Sequence, residues 1–307
     1  MKSRRLLVFL LAGVLLAAGV GLYVYSWQSR PIGRGPAGPA VSRSAFSNPW
    51  TNREVLLVGL GDSVTAGFGA RKGYSYFDLL VTNPPDEIAH MRGICLGAVL
   101  PHLHFTNLAV SGSTSAEHAE KQIPKLPTAN SNTLAIVVMT SGGNDLIHNY
   151  GRTPPRDQAM YGATLEEAKP WISAFEQRLK SEVKQIQSHF PGGCEIFIAD
   201  IFDPTDGKGD IQRAGLPPWP DGIKLLAAYN EVIHQAAKDD PHVHLVKVHD
   251  TFLGHGIHCA QVWSSHYDSH DPHYWYYINL EDPNERGYDA IRRLFLLQIQ
   301  DVINARK

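Results

Sequence analysis

The sequence predicts an α/β fold, a parallel sheet with helices on both faces, preceded by one apolar N-terminal helix. Three observations carry this reading. Short apolar runs rich in Val, Ile and Leu recur from residue 54 onward, each the length of a buried strand. Amphipathic stretches of helical period lie between several of them, and strand–helix–strand repetition is how parallel sheets are built. At the start of the chain, Leu6 to Tyr25 is an unbroken apolar run, Gly and Ala included; at about 1.5 Å rise per residue it reaches about 30 Å, the hydrocarbon thickness of a bilayer.

Taken in order, residues 1–5 form a basic flank with Lys2, Arg4 and Arg5, which stays cytoplasmic and sends the body to the far side. Residues 6–25 exceed the about 7–15 apolar residues of a cleaved signal peptide. Their length reads as an uncleaved transmembrane signal anchor, which makes this a single-pass membrane protein with an extracytoplasmic body. Ala17-Ala18-Gly19 leaves secretion after cleavage as the alternative. Residues 26–50 interleave Pro31, Pro36, Pro39 and Pro49 with Gly33, Gly35 and Gly38. Such sequence reads as an unpacked linker that lets the body, residues 51–307, stand off the membrane.

Within the body, strands are expected at Val55–Leu60, Leu103–Val110, Thr133–Met139, Glu195–Ile201 and Val243–Val248. A long amphipathic helix is expected over Leu165–His189, opened by a Thr164/Glu167 capping box and closed by Pro191-Gly192-Gly193. Further helices are expected over Ile223–Ala237 and Asn284–Ile303, the last with Ile291, Leu294, Phe295, Ile299 and Val302 on one face. No internal repeat is present.

All six basic residues of the first fifty precede a body with 22 basic and 30 acidic side chains, a formal charge of −8. An acidic body without a basic stripe argues against nucleic acid as a partner. Cys95, Cys194 and Cys259 are widely spaced and form no Cys-x-x-Cys pair, which argues against a cysteine zinc site and reads as small buried core residues.

Three segments at the carboxyl ends of expected strands carry the chemistry. The first is Gly61-Asp62-Ser63-Val64-Thr65, where Thr65 excludes the Gly-x-Ser-x-Gly elbow. The second is Asn107-Leu108-Ala109-Val110-Ser111-Gly112-Ser113-Thr114, and the third Met139-Thr140-Ser141-Gly142-Gly143-Asn144-Asp145. Open α/β sheets gather such loops at one edge. A serine there can serve as a nucleophile, while the Gly112 N–H, the Asn144 amide and the Ser63 N–H can serve as donors to a developing oxyanion.

In this order the segments resemble the SGNH (GDSL-type) hydrolase family. Gly61-Asp62-Ser63 matches the first block, Gly112 the second and Gly142-Gly143-Asn144-Asp145 the third, and the resemblance covers essentially all of residues 54–307. It implies a three-layer α/β/α fold with a mostly parallel, flavodoxin-like five-stranded sheet. It also implies a serine esterase with Ser63 as nucleophile, Gly112 and Asn144 in the oxyanion hole, and no cofactor. The fourth block departs. Where the family shows Asp-x-x-His-Pro-Asn-x-x-Gly-Tyr, this chain has Asn279-Leu280-Glu281-Asp282-Pro283-Asn284-Glu285-Arg286-Gly287-Tyr288. Asp282 stands in the histidine position and Asn279 in the aspartate position.

Spacing leaves two imidazoles as candidate bases. His255 lies on a glycine-flanked loop, with Asp250 or Asp282 to orient it, and His273 has Asp271 two residues away. A dyad, or Asp282 in direct contact with the serine, stays open. The histidine-rich stretch from His242 to His273 holds no metal motif, and no metal is expected. Its aromatics, from Trp263 to Tyr277, suit either a pocket wall or loop packing.

The expected activity is hydrolysis of a small-molecule ester (acylated saccharide, lysophospholipid or small lipid ester) through an acyl-enzyme on Ser63. The alternatives are a cell-envelope glycan O-acyltransferase on the same site and a non-catalytic envelope-binding module. The sequence does not fix the oligomeric state.

Overall fold

A computed structural model describes residues 2–304. Helix α1 spans Lys2–Gln28, and its Arg4–Tyr25 segment, with mean hydropathy 2.5, is long and apolar enough to cross a membrane. That length and composition suit a signal anchor and a signal sequence alike.

The body is built on strands β1 (Val55–Leu60), β2 (Leu103–Asn107), β3 (Leu134–Thr140), β4 (Cys194–Ala199) and β5 (Val243–Val246). All neighbouring pairs are parallel, in the order β2-β1-β3-β4-β5. Alternation along β3 divides the core: Leu134, Ile136 and Val138 face one layer, Ala135, Val137 and Met139 the other. The first layer is closed by helix α3 (Tyr76–Val81) and the final helix α7 (Glu285–Asn304). The second is closed by α5 (Leu165–His189) and α6 (Gly222–Asp239). This is the expected three-layer α/β/α arrangement. The short helices α2 (Ser63–Ala66) and α4 (Gly143–Ile147) follow β1 and β3.

Local chemistry explains the long helices. The Thr164 hydroxyl and the Glu167 carboxylate close the capping box on α5. On α7, Ile291, Phe295 and Ile299 are buried as the period requires. Arg292 and Arg293, also buried, interrupt that apolar face. Arg292 is paired with Glu87 and Asp289, and Arg293 with Asp289, as buried charges must be. Cys95, Cys194 and Cys259 are free and buried.

The segment expected to be an unpacked linker is instead a strap along α7. Tyr274 N–H donates to the Pro31 carbonyl (2.7 Å), and the Arg30 guanidinium lies 5.6 Å from the Tyr274 ring centre. Arg286 donates to the Gly35 carbonyl (2.8 Å), Ala37 N–H to Asp289 (3.1 Å) and Arg293 to the Pro39 carbonyl (3.2 Å). Ala37, Phe46 and Trp50 join the core. The Pro and Gly content that reads as disorder serves a different end. Proline lowers the entropy lost on ordering an extended chain, and glycine permits close approach. Gly38 has φ +79, and a Cβ there would lie 2.8 Å from the Ala290 Cα.

Gly38→Val should therefore loosen the strap and cost about 1–3 kcal/mol. The expected outcome is a lowered melting temperature with tryptic cleavage appearing at Arg34 and Arg43. An unchanged melting curve and digestion pattern would show that the strap contributes nothing.

Candidate active site

Strand order reverses at β1: the chain adds β2 on one side of it and then crosses over to add β3 on the other. Ligand crevices open beyond the carboxyl ends of strands at such a point, and Ser63 and Asn144 follow β1 and β3 there. Gly61 makes the first turn: its φ is +125, and a Cβ would lie 2.3 Å from the Thr140 carbonyl oxygen, so only glycine fits. Asp62 caps α2 by accepting from Val64 N–H (3.0 Å) and takes the Thr140 hydroxyl (2.7 Å), which joins the first loop to the third. A Cβ at Gly143 would lie 3.6 Å from Asp62 Oδ2.

The second loop is fastened to both others. Val110 N–H (3.0 Å) and the Ser113 hydroxyl (2.9 Å) donate to the Gly61 carbonyl. The Asn144 amide donates to the Ser113 carbonyl at 3.0 Å. Asp145 accepts from the Ser115 backbone (2.8 Å) and hydroxyl (2.6 Å). An amide nitrogen carries two protons, so Asn144 keeps one beyond its bond to Ser113.

Ser63 and Asn144 line one cavity of about 150 Å³. Its far wall is apolar, with Leu146, Tyr161, Ile201, Trp219, Ile223 and Leu226. Gly112, φ +82 and exposed, does not line this cavity. It lines a separate open polar hollow of about 600 Å³ beside Ser113 and Lys121, Arg156 and Gln158. Asn144, in the cavity lining, is tied to that hollow's wall through the Ser113 carbonyl.

The fourth-block segment closes the near wall, with Asn279, Leu280 and Glu281 in the cavity lining. Tyr277 N–H donates to the Asp282 carbonyl (2.7 Å), and a Tyr276–Pro283 bridge completes a narrow turn. At its tip Leu280 holds φ +67, a costly conformation for a residue with a branched side chain. The Asn279 amide donates to Asp282 Oδ2 at 2.6 Å. The Ser63 hydroxyl faces the same carboxylate. The other oxygen, Oδ1, is buried and has no hydrogen-bond partner.

The imidazoles singled out from spacing lie elsewhere: neither His255 nor His273 lines the serine cavity. Asp206 accepts the N–H groups of Gly254 and Gly256 (2.8 Å each) and of His258 (2.9 Å). That clamp stacks the His255 ring on Trp275, 3.4 Å between centres, with Nδ1 bonded to the His273 carbonyl at 3.1 Å. The flanking glycines serve loop packing, since a Cβ at Gly254 would lie 1.9 Å from the His266 carbonyl. His273 does bond Asp271, as its spacing suggests, but Asp271 is also held by Arg286 beneath the strap. Asp250 is exposed and bonds His249. Tyr274, Trp275 and Tyr276 are buried against the core, while the cavity takes Tyr150, Tyr161, Phe202 and Trp219 from other segments.

Residue spacing in the sequence does not reveal His118. Its ring bridges the second and third loops, with Nε2 at 3.1 Å from the Ser113 hydroxyl and Nδ1 at 3.2 Å from Ser141. Burial pushes its pKa down to about 4, which keeps it neutral. Gln122 braces Gly61 through its N–H and carbonyl (2.8 Å each). The capping box at Thr114 and Glu117 was the available signal, because it starts a turn that places His118 and Gln122 on one face.

Residues 60–290 match the GDSL-like lipase/acylhydrolase family. The chain belongs to that family. It is a serine-type hydrolase of carboxylic esters by that membership. Solved structures share the GDSL fold at low identity. An extracellular lipase from Streptomyces rimosus is 20% identical, with TM-score 0.50 over 79% of this chain and 98% of that one. A variant of an acetyl xylan esterase from Geobacillus stearothermophilus is 18% identical, with TM-score 0.51 over 81% and 96%. Comparison with curated proteins returned no match.

Carboxylates crowd this GDSL site. Burial pushes the Asp62 pKa up to about 6, with Asp282 and Asp145 adding to the rise. Burial, then Asp282 and Asp62, pushes Glu281 up to about 7. A carboxyl whose pKa is raised on folding favours the folded state below its unfolded value and withdraws that support as pH rises through the folded one. Glu281→Gln should thus gain stability relative to wild type from about pH 4.5 to 7 and level off above. The gain should reach at most about 1.4 kcal/mol per pH unit. Urea unfolding of both proteins at pH 5, 6, 7 and 8 measures it, and a pH-independent difference would remove Glu281 from the cluster.

Proposed function

We propose that Ser63 attacks the ester carbonyl and carries the acyl group as a covalent intermediate that water releases. The supporting observation is the shared cavity, where a serine at the switch point and the spare amide proton of Asn144 border one apolar chamber. In the transition state the carbonyl oxygen takes negative charge beside Asn144 and the backbone N–H of Ser63, and Gly112, outside the cavity lining, adds its N–H only if its loop moves inward. The acyl chain enters the chamber, whose size suits a benzene-sized apolar group. The reading for the substrate is therefore an ester with an apolar acyl chain rather than a bare acetyl group. The alcohol portion lies toward the polar hollow lined by Gly112. That hollow mixes Lys121 and Arg156 with Glu117, Glu120 and Asp157, which fits hydroxyl groups better than a phosphate. The same hollow would seat an acceptor alcohol in an acyl transfer. The partition of product between water and added glycerol separates hydrolysis from transfer. By the positive-inside rule the body lies outside the cytoplasm, anchored or released at α1.

Ser63→Ala should abolish hydrolysis of p-nitrophenyl butyrate, and Asn144→Ala should lower kcat by about 10²–10³-fold with a smaller change in KM. From acetate to butyrate, kcat/KM should rise about fourfold per methylene, the worth of about 0.8 kcal/mol per buried CH₂. Activity in folded Ser63→Ala protein would overturn the nucleophile, and a falling series would overturn the apolar acyl site.

A further inference from the structure

We infer that the Asp282 carboxylate, held by the Asn279 amide, is the general base of Ser63 in place of an imidazole. This rests on Ser63 being the nucleophile. None of the fifteen histidines lines the cavity that Ser63 borders, and Asp282 is itself outside the lining, but its hydrogen-bond partner Asn279 and its neighbour Glu281 are part of it. His118 bonds Ser141 of the cavity lining, and both of its ring nitrogens are engaged, with Ser113 and Ser141. Asp282 is 2% exposed, faces the serine hydroxyl and leaves Oδ1 without a hydrogen-bond partner. A buried acceptor oxygen without a donor is costly, and the proton of an attacking serine supplies one. Asn279 fixes Oδ2 at 2.6 Å, and its own Oδ1 accepts from the N–H groups of Glu281 (3.3 Å) and Asp282 (3.2 Å). The carboxylate is thus oriented by an amide, as an imidazole is oriented by an acid.

As Ser63 Oγ bonds to the ester carbon, its proton passes to Asp282 and the carbonyl electron pair moves onto oxygen. When the C–O bond to the alcohol breaks, Asp282 returns that proton to the departing oxygen. A water molecule then attacks the acyl-enzyme and gives a proton to Asp282. That proton goes back to Ser63 Oγ as the acid leaves, and the site is restored. The surrounding titratable groups are Asp62 from the first loop, Glu281 beside it and Tyr288 from α7. Burial raises the Asp282 carboxyl above its ordinary value, while the Asn279 amide and the Ser63 hydroxyl pull it back.

The test uses the full-length protein and p-nitrophenyl butyrate. Asp282→Asn, nearly isosteric, should lower kcat/KM by 10²-fold or more with an unchanged melting curve. Asp282→Ala should recover at least tenfold on addition of formate and not of chloride. Asn279→Ala should move the acid limb of the kcat/KM profile to higher pH, since the amide holds the Asp282 pKa down. His255→Gln should stay within threefold of wild type. Asp282→Asn within threefold of wild type, folded Asp282→Ala that formate does not rescue, or loss of activity in His255→Gln would each overturn the assignment. Where Ser63→Ala is inactive and Asp282→Asn is active, the base assignment alone falls. Where Ser63→Ala is active, the nucleophile falls with it.

Discussion

Parallel pairing of β1 with β3, in the register that sets Leu60 beside Met139, sends two loops out of the same edge of the sheet. Everything at the site is built on that pairing. It brings Asp62 to the Thr140 hydroxyl and Gly61 against the Thr140 backbone. The second loop then closes over both through Gly61, Asn144 and Asp145. None of these contacts is local in sequence, so none forms until the sheet does. The geometry around Ser63 is a property of the assembled sheet rather than of any one turn.

Against that fixed frame the electrostatics are unusual for a serine site. Asp62, Glu281 and Asp282 are drawn together with no cation among their strongest influences. Burial raises all three, and neighbouring carboxylates raise Asp62 and Glu281 further. Asp62 and Glu281 are therefore prepared to hold protons that ordinary surface acids have lost, while Asn279 and Ser63 pull Asp282 back, and the Leu280 backbone bears strain to complete the wall.

The strands and long helices were legible because their signals are periodic and local. The capping box of α5 and the apolar face of α7 needed only residues within a turn or two. Edges shifted where the chain ended a strand early: Leu108 to Val110 turn into the Gly112 loop, and Val248 begins a helical turn. The nucleophile segment and Asn144 were legible as loop tips after strands, and the altered fourth block was visible as Asn279 and Asp282. The destination of the histidines was not visible. Whether His255 meets Ser63 or Trp275 depends on the clamp made by Asp206, about fifty positions away in sequence. The strap was missed for the same reason. Its partners Arg286, Asp289 and Arg293 lie some 250 residues further on, and composition alone records no partner.

The strap also ties the segment after α1 to helix α7. Helix α1 ends at Gln28, and the first body contacts come at Arg30 and Pro31. If α1 stays in a bilayer, hardly any free chain separates lipid from globule. The enzyme is then moored at the water–lipid boundary, and its reach is limited to molecules arriving within about one protein diameter of that surface. If α1 is removed at Ala18 or Gly19, the strap stays with the mature chain, and the released globule keeps the same covering over its last helix.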